Sequence, residues 1–413
     1  MKDFNEMGLP ESLTHTLNHL KFDKPTQIQS IAIPIALEGR DILGSAQTGT
    51  GKTAAFAIPL IVNLYNKPTS NALVMAPTRE LATQVMSQFA SLLGRKTKIK
   101  SALLIGGDSM FKQLNQLRNK PRLIIGTPGR INDHLKRKSL QLDKLDFLVL
   151  DETDRMLDMG FSIQINEILK FAPSIRQTLL FSATLPPNII KLSAKYMTDP
   201  VRVEVEKSDE KPLNIKQEVL YTKSDKKYDH LKSEIDKRSG SIIVFAKTKL
   251  NTETLVKKLS KDGYDAYSIN GDLRQNVRTR VINNFRKMKF RILVATDVAS
   301  RGIDIPHIEH VINYNLPENP DDYIHRIGRT ARAGAKGETI IFITPSEKFK
   351  WNKIKKLLNI DIKDESLDEI ISSNEKKIKK KFSNKGKPVQ TNKKKRKKNT
   401  KKSSKKNRTS LWV

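Results

Sequence analysis

Two doubly wound α/β domains in tandem, followed by a disordered basic tail, are the fold the sequence predicts. Three observations lead there: two arrays of short apolar runs, helix-length segments between those runs, and a collapse of composition near the carboxyl end. In the first array, apolar runs fall at 42–43, 72–76, 102–105, 123–125, 147–150 and 178–181. The second array repeats the pattern at 242–246, 264–269, 292–295, 310–314 and 339–343. Continuous apolar runs without polar alternation suit strands buried on both faces, as in a parallel sheet with helical crossovers. Segments between them, such as 79–92 and 249–261, have the spacing and length of helices. Between the arrays, VEKSDEKPLNIKQ (205–217) is charged and broken by Pro212, which sets a linker at 206–216. The chain therefore divides into an amino-terminal region 1–30, a first domain 31–205, a second domain 217–372 and a tail 373–413.

The tail is dominated by Lys, Asn, Ser and Thr. It cannot bury enough apolar surface to offset its ordering entropy, so disorder is expected. Residues 374–413 hold 18 basic side chains and one acid, Glu375, and so carry +17 of the formal net charge of +32. That imbalance points to a polyanionic partner. The absence of cysteine excludes disulfides, thiolate catalysis and Cys-ligated metal sites. The longest apolar stretch, 54–62, is far short of the ~20 residues of a membrane span. MKDFNEMGLP lacks the basic-then-apolar pattern of a signal peptide, so the chain reads as cytoplasmic.

AQTGTGKT (46–53) follows the strand at 42–43 and opens a helical segment at 54–61. It matches a P-loop with Ala in place of the first Gly. Its glycines let backbone N–H groups wrap phosphates, and the new helix presents its positive end to them. Lys52 would pair with the outer phosphates and the Thr53 hydroxyl would ligate Mg²⁺. An acidic strand end is the next requirement, and FLVLDETD supplies Asp151 and Glu152 directly after four apolar residues. Asp151 is placed to hold Mg²⁺, largely through water. Glu152 is placed to orient or deprotonate the attacking water. Together these motifs define a nucleoside triphosphatase.

At this point the sequence resembles the DEAD-box RNA helicases of superfamily 2, over roughly residues 4 to 345. KFDKPTQIQ (21–29) looks like the family's Q motif, with Phe4 at the upstream aromatic position. PTREL (77–81), the Gly106–Gly107 pair and TPGR (127–130) resemble the first domain's RNA-binding motifs. SAT (182–184) resembles the segment that couples hydrolysis to unwinding. IVFAKT (243–248), Gln275 with Arg278, ATDVASRGID (295–304) and HRIGRTAR (325–332) follow in family order. The order of so many motifs is what makes the resemblance specific. Three positions depart from it: Thr153 for Ala in DETD, Lys21 for Gly before Phe22, and Ala331 for Gly in the last motif. Among bacterial members the RhlE type looks most similar.

The resemblance implies two RecA-like domains, with the helicase ATP-binding domain at 31–205 and the helicase C-terminal domain at 217–372. It further implies a set of site residues. Gln29 would read adenine, because a carboxamide both donates and accepts, while Phe22 stacks on the base. Ser45, Ala46, Gln47, Thr48, Gly49, Thr50, Gly51, Lys52 and Thr53 would surround the phosphates, and Asp304 would help hold the ribose. The second array has no P-loop of its own, so Arg326 and Arg329 make sense as arginine fingers completing the first domain's site. Arg79, Gly107, Thr127 and Arg130 on the first domain, with Arg278 and Thr296 on the second, would hold the RNA backbone without reading sequence. Asp154, Ser182, Thr184 and His325 would couple the two sites. The expected activity is RNA-stimulated ATP hydrolysis with Mg²⁺, driving local duplex unwinding or remodelling of RNA–protein complexes by a monomer. Ribosome-assembly or RNA-decay complexes are the expected company. An ATP-gated RNA clamp and a DNA helicase of the same superfamily are the competing readings. For the tail, an electrostatic RNA tether competes with a solubility tag and an import signal.

Overall fold

All strand pairings in the structure are parallel. It is a computed structural model and describes residues 3–46, 49–94, 97–205, 215–300, 305, 307–331 and 337–358. The first sheet contains β1 (Ile42–Ser45), β2 (Asn71–Met75), β3 (Ser101–Leu104), β4 (Leu123–Gly126), β5 (Leu145–Leu150), β6 (Gln177–Ser182) and β7 (Val201–Glu204). Their order is β3-β4-β2-β5-β6-β1-β7. The second contains β8 (Ile215–Tyr221), β9 (Ile242–Phe245), β10 (Ala266–Ile269), β11 (Ile292–Ala295), β12 (His310–Asn313) and β13 (Gly337–Ile343), ordered β10-β11-β9-β12-β13-β8. Parallel neighbours need crossovers, and helices supply them.

In the first domain the helices are α1 (Glu11–His19), α2 (Gln27–Leu37), α3 (Lys52–Asn66), α4 (Arg79–Leu93), α5 (Met110–Arg118), α6 (Pro128–Lys136), α7 (Thr153–Asp158), α8 (Ser162–Leu169) and α9 (Pro187–Tyr196). The second domain has α10 (Lys227–Asp236), α11 (Lys249–Lys261), α12 (Gln275–Arg286), α13 (Asp297–Ser300), α14 (Pro320–Ile327) and α15 (Lys348–Leu358). Helices cover both faces of each sheet, which explains the unbroken apolar strands. Val74, Ile125 and Val149 point to the layer containing Phe56 and Phe89, while Leu73, Leu148 and Leu150 point to the layer with Ile131 and Ile165. In the second sheet Ile243 and Leu293 face Phe285, and Val244 and Val294 face Leu255.

Two boundaries differ from the sequence expectation, and one further edge strand was not foreseen. Strand β8 begins at Ile215, so the last two residues of the expected linker at 206–216 belong to the second sheet. Its sequence IKQEVLY is half-exposed along its length, as befits an edge strand, and so lacks an apolar run. Strand β7 is also an edge strand, with Val203 buried between two exposed residues. Residues 3–30 are no separate layer, because Phe4, Leu13, Leu17 and Ile28 lie in the same core cluster as Phe56 and Phe181. The tail lies outside the described residues.

The departures at Lys21 and Ala331 acquire a physical meaning. Both residues sit at positive φ, 60° and 55°. Lys21 follows the carboxyl end of α1, where its N–H donates to the Asn18 carbonyl (3.0 Å) and the Phe22 N–H donates to the Leu17 carbonyl (3.0 Å). That pair of bonds is a Schellman motif, whose left-handed residue is usually glycine. The motif turns the chain so that Phe22 meets Phe4 edge-on, with ring centroids 6.3 Å apart. A side chain in this conformation costs about 1–2 kcal/mol, part of which glycine gives back through its freer unfolded chain. Lys21→Gly should therefore stabilise the first domain by roughly 0.5–1 kcal/mol, read as a higher urea midpoint. An unchanged or lower midpoint would show that Lys21 recovers its strain elsewhere.

Candidate functional site

Strands β5, β6 and β1 are adjacent, so their carboxyl ends lie together. Asp151 leaves β5, Ser182 ends β6 and Ser45 ends β1. The Ala46 N–H donates to the Ser182 carbonyl at 3.1 Å, and the Ser45 hydroxyl reaches the Ala183 carbonyl at 3.5 Å. Asp154 ties in the next segment. Its own N–H donates to the Ser182 hydroxyl (3.3 Å), and its carboxylate accepts from the Ala183 N–H (3.2 Å). The structure thus joins Asp154 to Ser182, whereas Thr184 is exposed two residues on.

Thr53 opens α3 directly behind Gly49 and Gly51, both at φ 90°. A Cβ at Gly51 would collide with the Gln29 amide nitrogen. Gln29 is buried and already occupied on both atoms. Its oxygen accepts from the Thr26 N–H (3.0 Å) as part of a capping box on α2, and its amide donates to the Gly51 carbonyl (3.0 Å). Each atom retains one further bonding capacity, the pair an adenine edge requires. Lys52 is buried and donates to the Ala46 carbonyl at 2.7 Å. Thr50 flanks these glycines, while Gln47, Thr48 and Asp304 lie outside the described residues.

Glu152 caps α7 in the left-handed region (φ 48°, ψ 52°), a conformation of the kind that collects at functional sites. Its N–H donates to the Asp151 carboxylate at 3.0 Å. Thr153, the departure from the usual motif, is wholly buried, and its hydroxyl donates to the Leu150 carbonyl at 3.2 Å. The extra oxygen is therefore satisfied locally. Asp151 is buried, and its carboxyl is pushed up to about 7, first by burial and next by the Glu152 charge, against the pull of Lys52. A strand-end carboxylate so held is short of positive charge. No cluster of three or more metal-ligating side chains occurs among the described residues. A magnesium ion here would draw its remaining oxygens from phosphate and water, as Mg²⁺ commonly does.

The other half of the same sheet edge, β3-β4-β2, carries the remaining motifs. Arg79 opens α4 after β2 and lies over Gly106 and Gly107, where a Cβ on Gly107 (φ 75°) would strike its guanidinium. Burial and the Arg278 charge hold Arg79 below its ordinary value, and Arg130 adds to that effect. Thr127 caps α6, and Arg130 donates to the Asp108 carbonyl at 3.3 Å. Arg79 and Arg130 thus converge beside the glycine pair, a setting that suits phosphate.

Two expected site arginines have their donors engaged within the protein. Arg278 is buried, pairs with Glu80 (2.7 Å), and donates to the Asn270 and Ala299 carbonyls at 2.6 and 3.3 Å. With the Gln275 N–H donating to the Gly107 carbonyl (3.4 Å), it joins α12 to the first domain. Arg326 is the second. It grips both oxygens of Asp297 (2.6 and 2.8 Å), donates to Asn313 and the Asn315 carbonyl, and lies over the Phe245 ring. Arg329 is only half-buried and shares a small hollow with Asp297, Ser300, Asp322 and His325. The His325 Nδ1 atom is buried with no hydrogen-bond partner among the described residues. Thr296 is buried at the end of β11, where its carbonyl accepts from the Ser300 N–H.

Sequence reasoning missed Glu80, Asp297 and a second bond across the domains, Arg155 to Asp322 at 3.1 Å, with both side chains buried. Glu80 and Asp297 sat inside quoted motifs, but nothing in a motif string says which of its members faces its own chain.

Tandem parallel sheets with one P-loop define a two-domain P-loop nucleoside triphosphatase, and comparison with known proteins narrows the class. The DEAD/DEAH box helicase model matches residues 26–192, and the helicase conserved C-terminal domain model matches 226–334. A DEAD-box ATP-dependent RNA helicase CshA of Bacillus cereus is 41% identical over 389 residues, 93% of this chain and 74% of the relative. An ATP-dependent rRNA helicase RRP3 of Yarrowia lipolytica is 44% identical over 83% of the chain and 72% of the relative. Among solved structures, S. cerevisiae Dbp5 bound to RNA and ADP BeF3 has a TM-score of 0.78 at 34% identity, covering 91% of this chain and 99% of that one. Mss116p bound to ssRNA and AMP-PNP has a TM-score of 0.77 at 31% identity, covering 87% and 77%. The chain belongs to the DEAD-box family of ATP-dependent RNA helicases. It is an ATP-hydrolysing enzyme whose partner is RNA. The relatives just cited lend no support to the RhlE subgroup. No helix among the described residues is long and apolar enough to cross a membrane.

The Asp151 carboxyl provides a test with a definite sign. An acid whose folded value is raised weakens the fold wherever the unfolded chain ionises it more readily. The cost is absent below about pH 4, where folded and unfolded chains are both protonated, accumulates between about pH 4 and about 7, and is constant above. The melting-temperature gain of Asp151→Asn over the nucleotide-free parent should therefore be smallest near pH ~4 and widest near pH ~8. A gap independent of pH would show that burial does not penalise this carboxylate.

Proposed function

We propose that ATP, held in the cleft between the two domains, closes them on an RNA backbone, and that hydrolysis reopens them. The observation that carries this reading is the division of one sheet edge. The carboxyl ends of β5, β6 and β1 present the P-loop, Asp151–Glu152 and Ser182, while those of β3, β4 and β2 present Gly107, Thr127 and Arg79. In this reading Gln29 and Phe22 receive adenine, Lys52 meets the outer phosphates, and Thr53 with Asp151 holds Mg²⁺, largely through water. The ion would neutralise phosphate charge in the reaction. Glu152 takes a proton from the attacking water, and Asp154 with Ser182 relays the change to the RNA half. Arg79, Gly107, Thr127 and Arg130 hold phosphates on the first domain, and Thr296 does so on the second. Asp304 belongs to the ribose.

Local strand separation follows from differential binding: a closed form that tolerates only a bent single strand shifts the population away from duplex. The tail at 373–413 acts as a charge-driven RNA tether, and the protein works in the cytoplasm on ribosome-assembly or decay complexes. ATPase assays with RNA or DNA of equal length, and with ATP or GTP, test the core of this. Activation by RNA alone and use of ATP alone are expected. Equal stimulation by both nucleic acids would favour a DNA helicase, and equal rates with GTP would remove adenine reading from Gln29.

Two substitutions address the chemistry. Glu152→Gln should retain ATP and RNA binding but stall turnover, since it deletes the base while keeping shape and leaving Asp151 in place. Parental turnover in that variant would end the assignment.

The two arginines of the last motif should behave oppositely. Arg329→Ala should slow turnover on the order of 10³-fold with little change in melting temperature, because a finger acts on transition-state charge. Arg326→Ala should instead lower the melting temperature, because it strands Asp297 and Asn313. A stable Arg326→Ala protein with an equal rate loss would restore the finger role to Arg326.

A further inference from the structure

At the opposite, amino-terminal edge of the first sheet, Lys98, Lys100, Arg118, Asn119, Lys120 and Arg122 line an open hollow of about 340 Å³. The hollow is built by the segment entering β3, the carboxyl end of α5 and the turn into β4. Arg122 is its floor: it donates to the Ser70 carbonyl at 3.0 Å and the Leu64 carbonyl at 2.8 Å, and also to that of Lys67. Burial holds Arg122 below its ordinary value. The other four cations are exposed, and none forms an ion pair among the described residues. No carboxylate, aromatic ring or apolar side chain is part of the lining.

We infer that this hollow is a second RNA-phosphate site, which holds the strand flanking the segment bound at the carboxyl edge. The two sites share their strands. Gly106 and Gly107 follow the end of β3 and Thr127 follows the end of β4, while the hollow lies at the beginnings of the same two strands. Four residues of strand span roughly 13 Å. Strand β3 is also the sheet's outer edge, so among the described residues no further strand lies beyond it between the glycine pair and the hollow, a distance of a few nucleotides. Four exposed cations without aromatic neighbours match phosphates and provide no aromatic platform for stacking bases. An acidic protein would satisfy the same charges but would ordinarily add apolar contacts, and the lining provides none. The inference rests on the RNA-helicase reading, and the short-RNA arm of the test keeps the two separable.

The test uses the full chain with Lys98→Ser, Lys100→Ser, Arg118→Gln and Lys120→Asn together, Asn being chosen because Lys120 has φ 50°. Arg122 is retained because it holds the floor. RNA-stimulated ATPase is measured on a short oligouridine that fills only the carboxyl-edge site and on one several times longer. With the long RNA, half-saturation should need roughly tenfold more RNA, and the log-affinity against log-salt line should flatten by about 3. With the short RNA both values should match the parent, as should the saturated rate on either. Equal weakening on both RNAs, or no change on the long one, would overturn the proposal. Unchanged RNA binding with lost binding of poly-glutamate would also overturn it, in favour of an acidic protein. Failure of the parent to respond to short RNA would instead count against the helicase reading itself.

Discussion

Parallel strand direction is the constraint on which this molecule depends. In an all-parallel sheet every strand delivers its carboxyl end to one edge, and ligands of such sheets collect along that edge. Motifs scattered over 160 residues of sequence are thereby placed side by side. The strand order then divides the labour. Because β6 lies between β5 and β1, the acid pair, the serine and the P-loop become neighbours, and the link from Asp154 to Ser182 is one hydrogen bond long. Because β4 and β3 lie beyond β2, the RNA motifs occupy the rest of the edge. The two groups of motifs thus share the frame of one sheet, and Asp154 and Ser182 join two neighbouring strand ends within it.

The second domain reaches this edge through charge. Arg278 with Glu80, and Arg155 with Asp322, are buried ion pairs crossing between the domains. Burying a pair costs several kcal/mol per ion in desolvation, and the mutual attraction largely repays it when the geometry is good. Such pairs therefore add little to the fold of either domain. Their effect falls on the equilibrium between joined and separated domains, because separation returns all four groups to water. A contact that is nearly balanced but strictly dependent on geometry suits a reversible clasp. A large apolar interface would hold the domains shut.

Most of the architecture was legible in the sequence because buried parallel strands have no polar alternation to hide them. The expected runs at 72–76, 123–125, 242–246 and 292–295 coincide within a residue with β2, β4, β9 and β11. The elements that escaped, β7 and β8, are edge strands with one half-exposed face, where polar and apolar residues mix. At the site, backbone-dependent parts read well: P-loop glycines, strand-end acids and the helix that follows Lys52. Side-chain direction did not read at all. The sequence raises an expectation of adenine reading for Gln29, but its capping of α2 and its bond to Gly51 depend on a turn that only the folded chain specifies.

Arginine illustrates the limit most sharply. The guanidinium presents five donors in a fixed plane, so it serves equally as a clasp, a scaffold or a phosphate ligand. Which role it takes depends on how many of those donors the protein itself consumes. Arg326 spends its donors on Asp297, Asn313 and a carbonyl, and Arg122 spends its own on three carbonyls. Both hold neighbouring segments of the chain together. Arg329, three residues from Arg326 in the same motif, remains half-buried at the mouth of a hollow. One motif string therefore contains a scaffold and a candidate finger. The distinction is drawn by Asp297, a residue of a different motif, because its carboxylate takes both edges of the first arginine, whereas the Arg329 Nε donates to the His325 carbonyl at 3.1 Å.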